Sequence, residues 1–159
     1  MKVSILFGSK SDAEVMKKTG NILKEFEIEY NYYVVSAHRT PELLTKILEK
    51  VEEDGTRVII AGAGLAAHLP GVIASKTLIP VIGVPLTSGG LGGLDALLSI
   101  VQMPKQIPVA TVGIDNAANA AYLAVQIIAT MFPSVKNKLV NYRKQMKEDL
   151  EKEFNSIEI

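Results

Sequence analysis

The chain has 159 residues, enough for one domain with a full core and too few for two ordinary ones. Hydrophobic residues make up 48% and charged residues 21%, which excludes a disordered chain. Lys plus Arg (17) balances Asp plus Glu (17), leaving no net positive field to hold nucleic acid, and Cys is absent, excluding disulfides, thiolate nucleophiles and thiolate metal sites.

In chain order, Lys2–Phe7 is a short apolar run ending at Gly8, which predicts a buried strand. From Asp12 to Glu27, Val15, Met16, Ile22, Leu23 and Phe26 fall on one helical face. Ile28–Val35, rich in Tyr, Ile and Val, predicts a second strand. Pro41–Asp54 places Leu43, Leu44, Ile47, Leu48 and Val51 at helical spacing and is closed by Gly55. Further strands are expected at Arg57–Gly62, Pro80–Val84 and Pro108–Ile114, separated by helical patterns near His68–Lys76, Gly93–Val101 and Asn116–Met131. After Pro133, Val135, Leu139, Tyr142, Met146, Leu150 and Phe154 recur every three or four positions in a charged background. That spacing predicts a helix with one narrow apolar stripe, covering its own domain or reaching a neighbour. The division is an α/β catalytic domain over 1–132 and an amphipathic C-terminal helix over 133–159, a single domain overall.

The N-terminal MKVSILFGSKSD has too short an apolar run for a signal-peptide core. Val58–Ser75 carries no formal charge apart from His68, but Gly62, Gly64, Pro70 and Gly71 break it into strand, turn and short helix. A cytoplasmic chain with no membrane segment is expected.

Strand–helix alternation without an internal repeat implies a parallel sheet covered on both faces. Such sheets bind ligands beyond the carboxyl ends of their strands, where the topology changes direction. Candidate site residues therefore lie in the turns. In Gly8-Ser9-Lys10-Ser11-Asp12, Ser9 and Ser11 offer hydroxyl donors to a phosphate, and Asp12 is an acceptor for ribose hydroxyls. Ser11-x-x-Glu14 is also a capping box, which would explain Ser11 without a ligand. In Ser36-Ala37-His38-Arg39-Thr40-Pro41, Thr40 and Pro41 suit the start of a helix. His38 and Arg39 need another explanation: proton exchange near neutral pH and a two-pronged phosphate clamp.

Gly62-Ala63-Gly64-Leu65-Ala66-Ala67-His68 matches the dinucleotide pattern G-x-G-x-x-A, making an NAD-binding oxidoreductase a rival reading. The pattern also wants an acid about 20 positions on. Ile82 and Gly83 stand there instead, and the next acid is Asp95. The better reading is a tight pocket lined by Gly64 and small side chains, with His68 either beside the chemistry or a structural histidine. A receiver-type signalling module would need acids after the first strand and an Asp after the third, where Gly8-Ser9 and Ala61-Gly62-Ala63 stand. The glycines of Gly89-Gly90-Leu91-Gly92-Gly93 imply close backbone approach or a flap. Between Arg57 and Lys136 the only formal charges are Lys76, Asp95, Lys105 and Asp115. So long a neutral stretch points to subunit contacts.

Taken together, GSKSD, SAHRTP, AGAGLAAHLPG, GVP, GLDALLSIVQMP and PVATVGI resemble the N5-carboxyaminoimidazole ribonucleotide mutase family of purine biosynthesis, from about Lys2 to Leu123. The resemblance implies a flavodoxin-like three-layer sandwich assembled as a homo-octamer, with sites at subunit junctions. It implies an isomerase that moves a carboxylate from N5 of its ribonucleotide substrate to C4, with no metal or other cofactor. His38 stands at the family's acid/base histidine, Ser9, Asp12 and Arg39 at its substrate-binding positions, and Ser11 and Ser36 near the phosphoribosyl group. Gly64 and His68 complete the substrate-binding set. A second class in the family carboxylates aminoimidazole ribonucleotide directly with free CO2. It tends to carry Lys where Arg39 stands and a different loop where AAHLPG stands, which places this chain with the mutases. Leu65, Ala96 and Gln106 depart from residues usual in the family (Gly, Ser and Gly).

Overall fold

The computed structural model describes residues 1–155. Strand β1 (Lys2–Phe7) is an interior strand of a five-stranded parallel sheet. Strands β2 (Glu29–Val34), β3 (Thr56–Gly64), β4 (Val81–Leu86) and β5 (Ala110–Thr111) complete it in the order β2-β1-β3-β4-β5. This 2-1-3-4-5 order is that of flavodoxin-like sheets.

Successive strand residues point to opposite faces, so each central strand feeds two cores. Val3, Ile5 and Phe7 of β1, Val58 and Ile60 of β3, and Ile82, Val84 and Leu86 of β4 share one core. That core is covered by helix α1 (Ala13–Glu25), helix α5 (Ala117–Ala129) and the start of helix α6 (Pro133–Asn155). Leu6, Ile59, Ala61, Ala63 and Val81 face the other way, under helices α2 (Pro41–Glu53), α3 (Leu69–Ala74) and α4 (Leu94–Val101). Crossover handedness explains the split. The chain first moves outward from β1 to β2 through α1, then turns back past β1 to β3 through α2. Right-handed connections travelling in opposite directions must lie on opposite faces. The reversal opens a crevice beyond the carboxyl ends of β1 and β3.

At the other end of the sheet, Asp54 accepts hydrogen bonds from Thr56 N–H (3.1 Å) and its hydroxyl, and from Lys2 Nζ (3.2 Å). Burial pushes its carboxyl up, but the Thr56 hydroxyl and the Lys2 ammonium outweigh that and hold it below its ordinary value.

Three sequence expectations are corrected. The strand expected over Pro108–Ile114 is only Ala110–Thr111. It is an edge strand with one neighbour, and Pro108 has no N–H to donate. Beyond it, single bonds from Val112 N–H to Gly83 O (3.1 Å) and Asp115 N–H to Pro85 O (2.9 Å) continue the alignment. The Ser11–Glu14 capping box does not form, because a 3-10 turn over Lys10–Asp12 precedes α1 and Ser9 caps that turn instead. Thr40 occupies the N-cap position of α2, but its hydroxyl turns back to Ser36 rather than capping the helix.

The C-terminal helix runs over Pro133–Asn155; the last four positions of its expected span lie outside the described residues. Val135 is buried in the first core and Leu139 and Tyr142 pack against it, whereas Val140, Met146, Leu150 and Phe154 are exposed. Among the described residues no helix is long and apolar enough to cross a membrane, and 58–75 divides between β3, a turn and α3.

Candidate active site

A cavity of about 490 Å³ opens beyond the carboxyl ends of β1, β2 and β3. Ser9, Ser11, Asp12, Ser36, His38, Arg39, Gly64 and His68 all line it, so three turns distant in sequence converge on one space.

The turn after β1 is organised by its own hydroxyls. Ser9 Oγ accepts from the Ser11 N–H (3.3 Å) and the Ser11 hydroxyl (2.9 Å), and Asp12 N–H donates to Ser9 O (3.1 Å). Burial pushes the half-buried Asp12 carboxyl up, and hydrogen bonds from the Ser11 hydroxyl (3.3 Å) and the Ser9 backbone only partly offset this. A carboxyl whose native value lies above its unfolded one binds more protons when folded. Stability therefore falls as pH rises from the ordinary value of 3.8 through the raised one. Asp12→Asn is expected to melt slightly higher than wild type at pH 7, by about 1–2 °C. The gain should vanish in acid where both side chains are neutral. Thermal melts at pH 3 and pH 7 check both.

The turn after β2 closes on Ser36. Its Oγ accepts from Arg39 N–H (3.2 Å), its carbonyl accepts from Thr40 N–H (3.0 Å) and the Thr40 hydroxyl (3.1 Å), and its N–H donates to Thr40 Oγ1 (3.3 Å). These bonds hold His38 and Arg39 at the tip. Arg39 Nη2 donates to the Gly8 carbonyl (3.3 Å), tying the second turn to the first. The planar guanidinium has five N–H donors, so one such bond leaves capacity for an anion.

His38 Nε2 and His68 Nδ1 lie 2.7 Å apart, with ring centroids 4.7 Å apart and planes inclined by 72°. One nitrogen must donate and the other accept, so each ring restricts the tautomer of the other. His68 is thus no core histidine: it is exposed, at the N-cap position of α3, bonded to the other candidate imidazole. With Nε2 engaged, Nδ1 is the His38 nitrogen left to exchange a proton with a ligand.

The third wall explains its glycines without a dinucleotide. A Cβ on Gly62 would lie 2.5 Å from Met16 Sδ, and one on Gly64 would lie 2.8 Å from Ser88 Cβ and 3.1 Å from the Leu86 carbonyl. Both are close-packing glycines, and α3 begins only at Leu69 rather than on the G-x-G turn. Ser88, just beyond β4, also lines the cavity and is absent from the sequence-derived set. Its signal was its place after a strand, in a segment dominated by glycine. Those glycines form a 3-10 turn, Gly89–Leu91, with Gly89, Gly92 and Gly93 at positive φ.

A family model described as AIR carboxylase matches residues 2–149. The N5-carboxyaminoimidazole ribonucleotide mutase of Pyrococcus abyssi is 59% identical over 146 residues, spanning 92% of this chain and 84% of that protein. The Escherichia coli K12 protein of the same name is 50% identical over 151 residues, spanning 94% and 89%. The crystal structure of Treponema denticola PurE matches with a TM-score of 0.91 at 28% identity, covering 99% of each chain. With the motif words, the sheet order and nearly the whole length in agreement, the chain belongs to the AIR carboxylase family.

Proposed function

We propose that this chain is an N5-carboxyaminoimidazole ribonucleotide mutase acting in purine biosynthesis, with His38 as the catalytic acid and base. The observation that carries the reading is the His38–His68 pair, facing the Ser9–Asp12 turn across one cavity, in a chain 59% identical to a protein of that name.

Ser9, Ser11 and Ser36 hold the phosphoribosyl group with Arg39, and Asp12 accepts from the ribose hydroxyls. These contacts fix the aminoimidazole against the His38 imidazole and supply much of the rate by positioning. Protonated His38 gives its proton to N5. The N–CO2⁻ bond breaks, its electrons return to nitrogen, and CO2 and aminoimidazole ribonucleotide remain in the cavity. The enamine-like C4 then attacks CO2, forming the new C–C bond. The now neutral His38 removes the C4 proton and is ready for the next turnover. An imidazole suits both transfers because its ordinary pKa lies near working pH. CO2 must be kept from solvent between the steps, and Ala63, Gly64, Ala66 and Ala67 supply a small-residue wall.

The protein works as a cytoplasmic homo-octamer in this reading. Support for assembly comes from the apolar side chains left exposed around α4, Leu91, Leu94, Leu98 and Val101. They lie in the charge-poor middle of the chain. Supplying each ribonucleotide separately tests the function. Turnover of the N5-carboxy compound without added bicarbonate is expected. Rapid turnover of aminoimidazole ribonucleotide at low CO2, with none of the N5-carboxy compound, would reject the mutase in favour of direct carboxylation.

A further inference from the structure

Ser88 lines the cavity from the turn after β4, and its hydroxyl forms no hydrogen bond to any described residue. The other serines of the cavity differ. Ser9 and Ser11 bond to each other, and Ser36 accepts from the Arg39 N–H. Ser88 holds the N-cap position of the 3-10 turn Gly89–Leu91, where a serine ordinarily accepts from the backbone, yet its side chain makes no cap. Local structure therefore does not use this hydroxyl. Its place is nevertheless fixed. Asp115 Oδ1 accepts from Thr87 N–H (2.9 Å), and Asp115 N–H donates to Pro85 O (2.9 Å), so one residue grips the chain on both sides of Leu86. Asp115 does so at φ 56°, a left-handed conformation that costs backbone strain. On its other side Ser88 packs against Gly64: a Cβ on that glycine would lie 2.8 Å from Ser88 Cβ and 3.7 Å from Ser88 Oγ. The hydroxyl is thus held at the small-residue wall of Ala63, Gly64, Ala66 and Ala67.

The N5-carboxy substrate and the C4-carboxy product each carry a phosphate and a carboxylate. The Ser9–Ser11 turn and Arg39 take the phosphate in the mechanism above, which leaves the carboxylate to the wall where CO2 is released and recaptured. Alanine and glycine offer no side-chain donor there, and Ser88 does. We propose that the Ser88 hydroxyl donates a hydrogen bond to the migrating carboxylate in substrate and product, and so separates the carboxylated nucleotides from aminoimidazole ribonucleotide, which has no carboxylate. The inference rests on the mutase reading. Ser88 keeps its proton throughout: it orients the carboxylate oxygens while their carbon leaves N5 and joins C4, and both proton transfers stay with His38. A hydrogen bond to an ionised acceptor is among the stronger ones, so its loss is large enough to read in binding.

The test compares two nucleotides that differ only in the carboxylate. Wild type, Ser88→Ala and Ser88→Thr are titrated with the C4-carboxy nucleotide and with aminoimidazole ribonucleotide, and initial rates are taken with the N5-carboxy substrate. Neither substitution removes a hydrogen bond from the fold, so both variants are expected to melt within about 2 °C of wild type. In Ser88→Ala, Kd for the C4-carboxy nucleotide and KM for the N5-carboxy substrate should each rise about tenfold. Kd for aminoimidazole ribonucleotide should stay within about twofold. Ser88→Thr keeps the hydroxyl on an extended residue (φ -154°, ψ 145°) that suits a β-branched side chain, and its selectivity should stay within about threefold of wild type. Equal weakening of both nucleotides in Ser88→Ala, or no weakening of either, would overturn the proposal. So would a Ser88→Thr chain that loses selectivity as fully as Ser88→Ala. Wild type that turns over no N5-carboxy substrate at all would instead strike the mutase reading, and the Ser88 role with it.

Discussion

His38→Asn is expected to lower kcat for the N5-carboxy substrate at least about 1,000-fold, near 4 kcal/mol of transition-state stabilisation, while ribonucleotide affinity stays within about threefold. In the proposed mechanism the imidazole acts twice in one turnover, once as acid at N5 and once as base at C4, and this sets the size. An asparagine amide keeps polarity and approximate size but neither gains nor loses a proton near neutral pH. Affinity is preserved because the Ser9–Asp12 turn is built by its own hydrogen bonds, and the Arg39 N–H to Ser36 bond does not involve the His38 side chain. Stopped assays on the purified variant, with a nucleotide titration, give both numbers. A loss of less than about tenfold, roughly 1.4 kcal/mol, would remove His38 from proton transfer.

His68→Ala is expected to lower kcat about 10- to 100-fold with a smaller change in KM. The basis is the 2.7 Å bond from His68 Nδ1 to His38 Nε2. A ring nitrogen that must present one tautomer loses rate when the partner fixing it is removed, as for ligating histidines stripped of their orienting neighbours. His68→Asn places an amide near the former Nδ1 and should recover part of the loss. A structural role alone would lower Tm without that recovery of kcat in His68→Asn. A kcat within twofold of wild type in His68→Ala would make the bond incidental to catalysis.

The fold was legible where local pattern and tertiary demand agree. The apolar run of β1 and the amphipathic spacing of α2 and α5 each recur in the structure within a residue or two of their expected limits. The expectation failed for β5, because an apolar run does not show whether a strand will have one neighbour or two. Helix starts were misread for a related reason. The Ser11–Glu14 pair has the spacing of a cap, yet the 3-10 turn over Lys10–Asp12 spends Ser11 on Ser9 and Asp12. The strand-end rule was enough to place Ser9, Asp12, Ser36, His38, Arg39 and Gly64 around one cavity before any coordinates. The partner of His38 was not legible: thirty positions separate the two imidazoles, and only the register of β1 between β2 and β3 brings their turns together. Leu65 reads in sequence as a departure from a usual glycine; its positive φ and its reach to the turn at Gly89 were not legible there.

The claim on which the account turns is that the His38 imidazole and the nucleotide ring share the cavity beyond β1, β2 and β3. A crystal structure of His38→Asn soaked with the N5-carboxy substrate tests it most directly, since that variant should bind without turning over. The account predicts the phosphate on the Ser9–Ser11 turn and Arg39, with N5 or C4 within hydrogen-bonding reach of position 38, about 3 Å. A nucleotide bound in full with its aminoimidazole directed away from position 38 and His68 would contradict it.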